Sequence, residues 1–120
     1  MRSELPMAPI KPHPAESLAA THLAKMGLTL VAQNYHSRFG EIDLIMRDQN
    51  TLVFIEVRQR SSNRFGGALA SVDQRKQQKI ILTAQHYLST HPDNSPCRFD
   101  VVALDKDHQI QWVKDTFNAG

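Results

Sequence analysis

The segment GEIDLIMRDQNTLVFIEVR, residues 40–58, contains two apolar runs separated by a short polar turn. Runs this rich in branched and aromatic residues predict two β-strands. The turn at Gln49-Asn50 predicts that they form a hairpin, because asparagine tolerates the left-handed backbone conformation that a tight turn requires. Each strand has one carboxylate among its apolar residues, Asp43 in the first and Glu56 in the second.

The register of this hairpin determines where the two carboxylates point. With a two-residue loop, Asp48 faces Thr51, and counting back along the ladder places Asp43 directly opposite Glu56. The Cβ atoms of directly opposed residues lie roughly 5 Å apart. A three-residue loop would shift the register by one residue and send the two carboxylates to opposite faces of the sheet. The proposed site therefore depends on a two-residue loop.

Two carboxylates on one half-buried face predict a metal site. An ionised carboxylate is costly to bury unless something neutralises it, and a divalent cation would do so. Arg58 follows Glu56 by two residues and shares its face, and the backbone carbonyl of Val57 is a further candidate oxygen ligand. This pattern indicates a phosphodiesterase site in which Asp43, Glu56 and Val57 bind Mg²⁺ or Mn²⁺ beside Arg58. In the alternative interpretation, Asp43 faces water and Glu56 forms a buried ion pair with Arg58 or Arg60, which would make the pair structural.

The remaining elements follow from periodicity and turn signals. Apolar residues at helical spacing predict a helix over 14–26 and another that begins with a capping box at 71–74. Strands are predicted over 28–35, 98–104 and, shorter, 109–113. The order α-β-β-β-α-β-β predicts one three-layer α/β/α domain, with a mixed sheet of four to five strands and a helix on each face. We expect a disordered segment at 1–12, the domain at 13–114 and a tail at 115–120.

Composition narrows the classes of function. The chain has 120 residues, no apolar run long enough for a bilayer and no signal-peptide pattern, which favours a cytoplasmic protein without a membrane partner. The single cysteine, Cys97, excludes an internal disulfide. The net charge is only +2, but residues 58–79 contain six basic side chains against Asp73 alone. Three residues of this cluster, Arg60, Arg64 and Lys76, are candidate phosphate contacts. A solvated surface is the competing interpretation.

Several motifs resemble a known family. They are GEIDLI (40–45), VFIEVR (53–58), Asn34-Tyr35 at the end of the first strand, Phe65-Gly66 in the loop and FDVV (99–102). Across residues 15–113 the chain resembles the uncharacterised bacterial YraN-type family, whose fold is similar to archaeal Holliday junction resolvases in the PD-(D/E)xK nuclease superfamily. The resemblance implies a restriction-endonuclease-like fold, an Mg²⁺- or Mn²⁺-dependent endonuclease activity and DNA as substrate, and it allows a homodimer.

The resemblance also suggests roles for two residues. Glu16 resembles the helix-borne acid that completes the catalytic site, although a glutamate in the first turn of a helix also complements the helix dipole. Arg58 occupies the position where the superfamily usually has lysine. An arginine keeps its proton in a protein site, so Arg58 cannot act as a general base. It could still stabilise a transition state electrostatically.

This departure leaves two other functions open. The chain could be a nucleic-acid-binding module that retains the fold without the chemistry, or a protein-interaction domain.

Two further residues are predicted to have structural roles. Asp100, between apolar neighbours, should need a cationic or backbone partner, and Trp112 should pack in the core.

Overall fold

The computed structural model describes residues 14–59 and 71–118. Its elements are α1 (Pro14–Lys25), β1 (Thr29–Ser37), β2 (Gly40–Asp48), β3 (Thr51–Gln59), α2 (Gln74–Thr90), β4 (Cys97–Leu104) and β5 (Ile110–Phe117). The predicted order α-β-β-β-α-β-β is confirmed. The predicted disordered segment 1–12, Phe65-Gly66 and the candidate phosphate contacts Arg60 and Arg64 lie outside the described residues.

The five strands form one mixed sheet in the order β1-β2-β3-β4-β5. The pairing of β3 with β4 is parallel, and the other three pairings are antiparallel. A parallel pair needs a long connection between its strands, and α2 lies in that connection. The prediction of a mixed sheet is therefore confirmed.

One helix covers each face of the sheet, as the three-layer prediction requires. α1 contributes Ala15, Ala19 and Leu23 to a buried cluster with one set of strand side chains, including Leu44 and Ile55. α2 packs on the alternate set, and its cluster contains Ile80, Ala84, Tyr87, Ile45 and Phe54. From Leu44 to Met46 in β2 and from Leu52 to Ile55 in β3, neighbouring residues thus enter different layers, which is the period-two alternation of a strand with both faces buried. Within the described ranges, no helix is long and apolar enough to cross a membrane.

The hairpin register is the predicted one. Asp48 pairs with Thr51, and the ladder continues to Leu44 opposite Ile55. The turn differs in one detail, since the positive φ of 55° falls on Gln49 rather than on Asn50. A two-residue turn of the II′ kind requires a positive φ only at its first central position, so the expectation that asparagine adopts this conformation was wrong while the loop length was right.

Several element boundaries also differ from the prediction, and for two of them the structure shows the cause. The N-cap of α2 is Asp73, whose carboxylate accepts a hydrogen bond from the backbone N–H of Lys76 at 2.9 Å, rather than Ser71. Capping at Asp73 leaves Val72 free to enter the core, where it is 4% exposed. β5 continues beyond 113 to Phe117, whose ring stacks on that of Phe99 with centroids 5.0 Å apart.

Asp100 is completely buried and fully hydrogen-bonded, as its position between apolar residues led us to expect. Arg98 donates two hydrogen bonds to it, from Nε and Nη2, both at 2.9 Å. The indole N–H of Trp112 and the backbone N–H of Asp115 donate two more, also at 2.9 Å. Trp112 is partly buried against the α1-side cluster. The network joins β4 to β5 and identifies Asp100 as a structural carboxylate.

Candidate functional site

The candidate site lies where β2 and β3 separate. Their ladder ends at Leu44 and Ile55, and one residue further the Asp43 carboxylate accepts a hydrogen bond from the backbone N–H of Val57 at 2.8 Å. A side-chain oxygen thus replaces the main-chain partner that Val57 would have in a continuing ladder. A cleft of about 240 Å³ opens beside this point.

The cleft brings together most of the residues predicted to form the site. Its lining includes Glu16, Asp43, Glu56, Val57, Arg58 and Lys76. Glu16 comes from α1, on one side of the sheet, and Lys76 comes from the first turn of α2, on the other. The cleft therefore lies at the end of the sheet, where side chains from all three layers can meet.

Glu56 is 5% exposed and lies close to two cations. Its Oε2 is 3.3 Å from Nη2 of Arg58 and 3.6 Å from Nζ of Lys76. The ion pair with Arg58 is one that the alternative, structural interpretation anticipated. Lys76 was predicted as a candidate phosphate contact, with a solvated surface as the competing interpretation, and the structure places it in the lining of the cleft.

Glu16 is 9% exposed, and its Oε1 atom has no hydrogen-bond partner among the described residues. Arg58 contributes a comparable atom, because its buried Nε also lacks a partner there. In the part of the chain that the structure describes, these are the two buried side-chain polar atoms without a hydrogen bond. Leaving such groups unpaired is unfavourable, and both belong to residues that line the same cleft.

Two carboxyl groups of the cleft, Glu16 and Glu56, have raised pKa values. Burial raises the pKa of Glu56 from 4.5 to about 7, and the charge of Asp43 adds to the rise, against the opposing effects of Lys76 and Arg58. Burial likewise raises the pKa of Glu16 to about 7, with smaller contributions from Asp43 and from the exposed Glu41. Burial is thus the main cause of both shifts, and titratable groups with such shifts are typical of functional sites.

These pKa values predict how the stability of the metal-free protein depends on pH. Because Glu56 binds its proton more tightly in the folded chain than in the unfolded chain, its contribution to the free energy of unfolding is complete below pH 4.5 and is lost as the pH rises through 7. We expect this contribution to fall by about 2 kcal/mol between about pH 5 and pH 8. Urea denaturation in EDTA, for wild type and Glu56→Gln, measures it as the difference in stability between the two proteins at each pH. A difference that stays constant, or that moves in favour of wild type at pH 8, would contradict the assignment.

The donor set suits a hard divalent cation, but the described side chains are not already arranged around one. Carboxylate and carbonyl oxygens are the ligands that Mg²⁺ and Mn²⁺ prefer, and Glu16 Oε1 is an acceptor with no other partner among the described residues. Within 14–59 and 71–118, however, no group of three acidic, histidine or cysteine side chains is placed so that it could hold one metal ion. A bound cation would therefore have to compete with Arg58 and Lys76 for Glu56.

Two features of the cleft were not anticipated from the sequence. Glu41 was not assigned a role, yet it lines the cleft and forms a contact of 3.3 Å with His36 at the neighbouring strand. Its spacing of two residues from Asp43 was the available signal. The ion pair between Lys76 and Glu56 joins residues 20 positions apart through the packing of α2 on β3, and no local pattern encodes that contact.

Comparison with known proteins identifies the family. A family model described as "Uncharacterised protein family UPF0102" matches residues 15–104. A UPF0102 protein of Nitrosomonas europaea is 51% identical over 106 residues, covering 87% of this chain and 90% of the relative. A UPF0102 protein of Legionella pneumophila is 53% identical over 109 residues, covering 88% and 92%, and one of Psychromonas ingrahamii is 54% identical over 104 residues, covering 86% and 85%. The chain belongs to the UPF0102 family.

Proposed function

We propose that this protein is a metal-dependent nuclease that hydrolyses phosphodiester bonds in nucleic acid. The observation that carries the proposal is that two residues lining one cleft each have a buried atom without a hydrogen-bond partner among the described residues, an acceptor on Glu16 and a donor on Arg58. A ligand that satisfies both must offer a cation or hydrogen-bond donor to Glu16 and an acceptor to Arg58. A divalent cation accompanied by a phosphate group has this character.

The cleft residues divide naturally between these two ligands. Asp43 and Glu56 would hold the cation, with the Val57 carbonyl and Glu16 as further oxygen ligands. Such a cation, when bound, supplies Lewis-acid stabilisation of the phosphate and makes water a better nucleophile at neutral pH. Arg58 and Lys76 lie on the same side of Glu56 and would bind the phosphate oxygens, since both residue types donate charge-assisted hydrogen bonds to phosphate.

Lys76 matters because Arg58 stands at the strand position where the resembled superfamily usually has lysine. Arginine cannot release its proton, so Arg58 would act only by orienting the phosphate and stabilising its developing charge. Lys76 adds a second, compact cation 3.6 Å from the same glutamate. The cleft thus contains a lysine even though the strand position has none, and nuclease chemistry does not depend on Arg58 alone.

A second function is favoured by a different observation. The two cations close to Glu56, and the absence of a ready three-ligand group among the described residues, suit a protein that binds nucleic acid without cutting it. Binding that weakens steeply with salt, without metal-dependent cleavage, would be its signature. The preference for DNA, a homodimeric state and a cytoplasmic location stay predictions under either function.

The decisive experiment compares nicking of branched and linear DNA by wild type and Glu56→Ala with added Mn²⁺. We expect cleavage by wild type and its loss in the variant, because the variant removes a cation ligand. Equal cleavage by both proteins would identify a contaminating nuclease. Salt-sensitive binding without cleavage by wild type would favour the second function.

A further inference from the structure

A partly buried aromatic ring lies at the tip of the turn between β1 and β2. The guanidinium carbon of Arg38 lies 5.0 Å from the centroid of the Phe39 ring, and the His86 ring on α2 meets the same ring edge-on at 6.4 Å. Phe39 is only partly buried, although phenylalanine is among the residues most often found in the core. A cation over one part of the ring and an imidazole at another form an aromatic surface that water reaches.

The turn that carries Phe39 is held in place. The backbone N–H of Phe39 donates a hydrogen bond to Oγ of Ser37 at 3.0 Å. The hydroxyl of Ser37 in turn lies 3.4 Å from Oγ1 of Thr83 on α2. Gly40 follows with a φ of +146°, and a Cβ there would lie 3.7 Å from Cβ of Lys79. A hydrogen bond of 2.6 Å between Oη of Tyr35 and Nδ1 of His86 fixes the imidazole. The ring is thus positioned by β1 and α2 together, before any partner arrives.

Basic side chains connect this ring to the cleft. Lys79 is beside the turn, and Lys76, one helical turn earlier in α2, lies in the cleft. Arg75 and Lys79 also line a second pocket next to Lys76. Of the acidic residues along this path, Asp73 serves as the N-cap of α2. The other, Glu41, is close to His36.

The distance from ring to cleft suits a short length of nucleic acid. Phe39 and Asp43 are four residues apart along the chain, which is about 13 Å in an extended strand. A few nucleotides span that distance, since each base adds about 3.4 Å when stacked and more when extended. Proteins that hold single strands use this combination of a stacked aromatic ring and a basic path along the backbone.

We propose that Phe39, with Arg38 and His86, is a stacking platform for an unpaired base, and that Lys79 and Lys76 guide the connected single strand into the carboxylate cleft. The inference rests on the proposed function for the identity of the cleft, and it names the substrate class as nucleic acid with a single-stranded segment. A base in the interior of a duplex is already stacked on both sides and cannot offer its face to the ring, so only the two end pairs of a duplex could do so. The platform therefore distinguishes unpaired from paired strands.

The test measures binding without catalysis. Fluorescence anisotropy in EDTA follows a labelled 15-nucleotide oligothymidine and a 15-base-pair duplex as they bind wild type, Phe39→Ala and Phe39→Trp. We expect Phe39→Ala to weaken binding of the single strand about tenfold, because one base–aromatic stack is lost, and to leave duplex binding unchanged. Phe39→Trp should retain wild-type affinity. Leu82→Ala, which truncates an exposed apolar residue on α2, is the matched control.

The salt dependence of binding tests the role of Lys79 in guiding the single strand. Lys79→Ala should reduce the slope of log K against log salt by about 0.7 for the single strand, whereas Lys25→Ala, at the far end of α1, should leave it unchanged. Thermal melts establish that each variant is folded. The inference is overturned if Phe39→Ala binds the single strand as wild type does, if it loses duplex binding equally, or if wild type binds no single strand. Because no metal is present, a failure of cleavage in the nicking assay would refute the nuclease alone.

Discussion

Replacing Asp43 with asparagine is expected to lower the rate of metal-dependent cleavage about 100-fold or more. The amide oxygen of asparagine can still accept the hydrogen bond from the N–H of Val57, so the end of the hairpin should keep its geometry. The charge that would bind the cation is lost. The same change removes a negative neighbour of Glu56 and Glu16, and we therefore expect the pKa of both groups to move back towards 4.5.

Single-turnover cleavage in Mn²⁺ measures the rate, and NMR titration of the labelled glutamate carboxyls measures the pKa values. Glu41→Gln is the matched control, because Glu41 lines the same cleft but is exposed and sits two residues away on the same strand. It should cleave at close to the wild-type rate. An Asp43→Asn protein that cleaves like wild type would remove Asp43 from the site, and equal losses in both variants would indicate a general effect of negative charge.

Replacing Asp100 with alanine is expected to lower the free energy of unfolding by about 3–5 kcal/mol. The carboxylate is fully buried and accepts four hydrogen bonds, two of them from Arg98. Its removal leaves the guanidinium partly unpaired in the core and detaches the indole of Trp112 and the backbone of Asp115. This is the largest effect on stability that we expect from any single carboxylate described here.

Urea denaturation of Asp100→Ala against wild type measures this loss. Asp107→Ala provides the control, since Asp107 is an exposed aspartate in the turn between β4 and β5, and surface changes of this kind usually stay within about 0.5 kcal/mol. A loss below about 1 kcal/mol for Asp100→Ala would show that the network contributes little to stability. Asp100 would then need another explanation for its burial.

The β2–β3 hairpin shows what local pattern can predict. Alternation and a two-residue loop were sufficient to predict the register from Asp48–Thr51 to Leu44–Ile55. Asp43 and Glu56 follow one residue beyond the last pair, and both line the cleft. The helices followed in the same way from apolar spacing, with an error of one residue at the end of α1. These features depend on neighbours in sequence, which a periodic pattern records directly.

The features that were missed depend on partners far along the chain. β5 continues through a polar stretch to Phe117, because the N–H of Asp115 bonds Asp100 and Phe117 stacks on Phe99. The position of Lys76 beside Glu56 results from the packing of α2 across β3. None of these three contacts leaves a periodic signal in the sequence, since each joins residues 15 or more positions apart.

Isothermal titration of Mn²⁺ into the metal-free protein at pH 8, above the raised pKa of Glu16 and Glu56, shows whether the cleft is a metal site. We expect one Mn²⁺ to bind per chain, with an affinity that Glu56→Gln lowers at least about tenfold and Glu41→Gln leaves unchanged. If wild type binds no Mn²⁺, or if Glu56→Gln binds it as tightly as wild type, then Asp43 and Glu56 do not form a metal site and the nuclease proposal is contradicted.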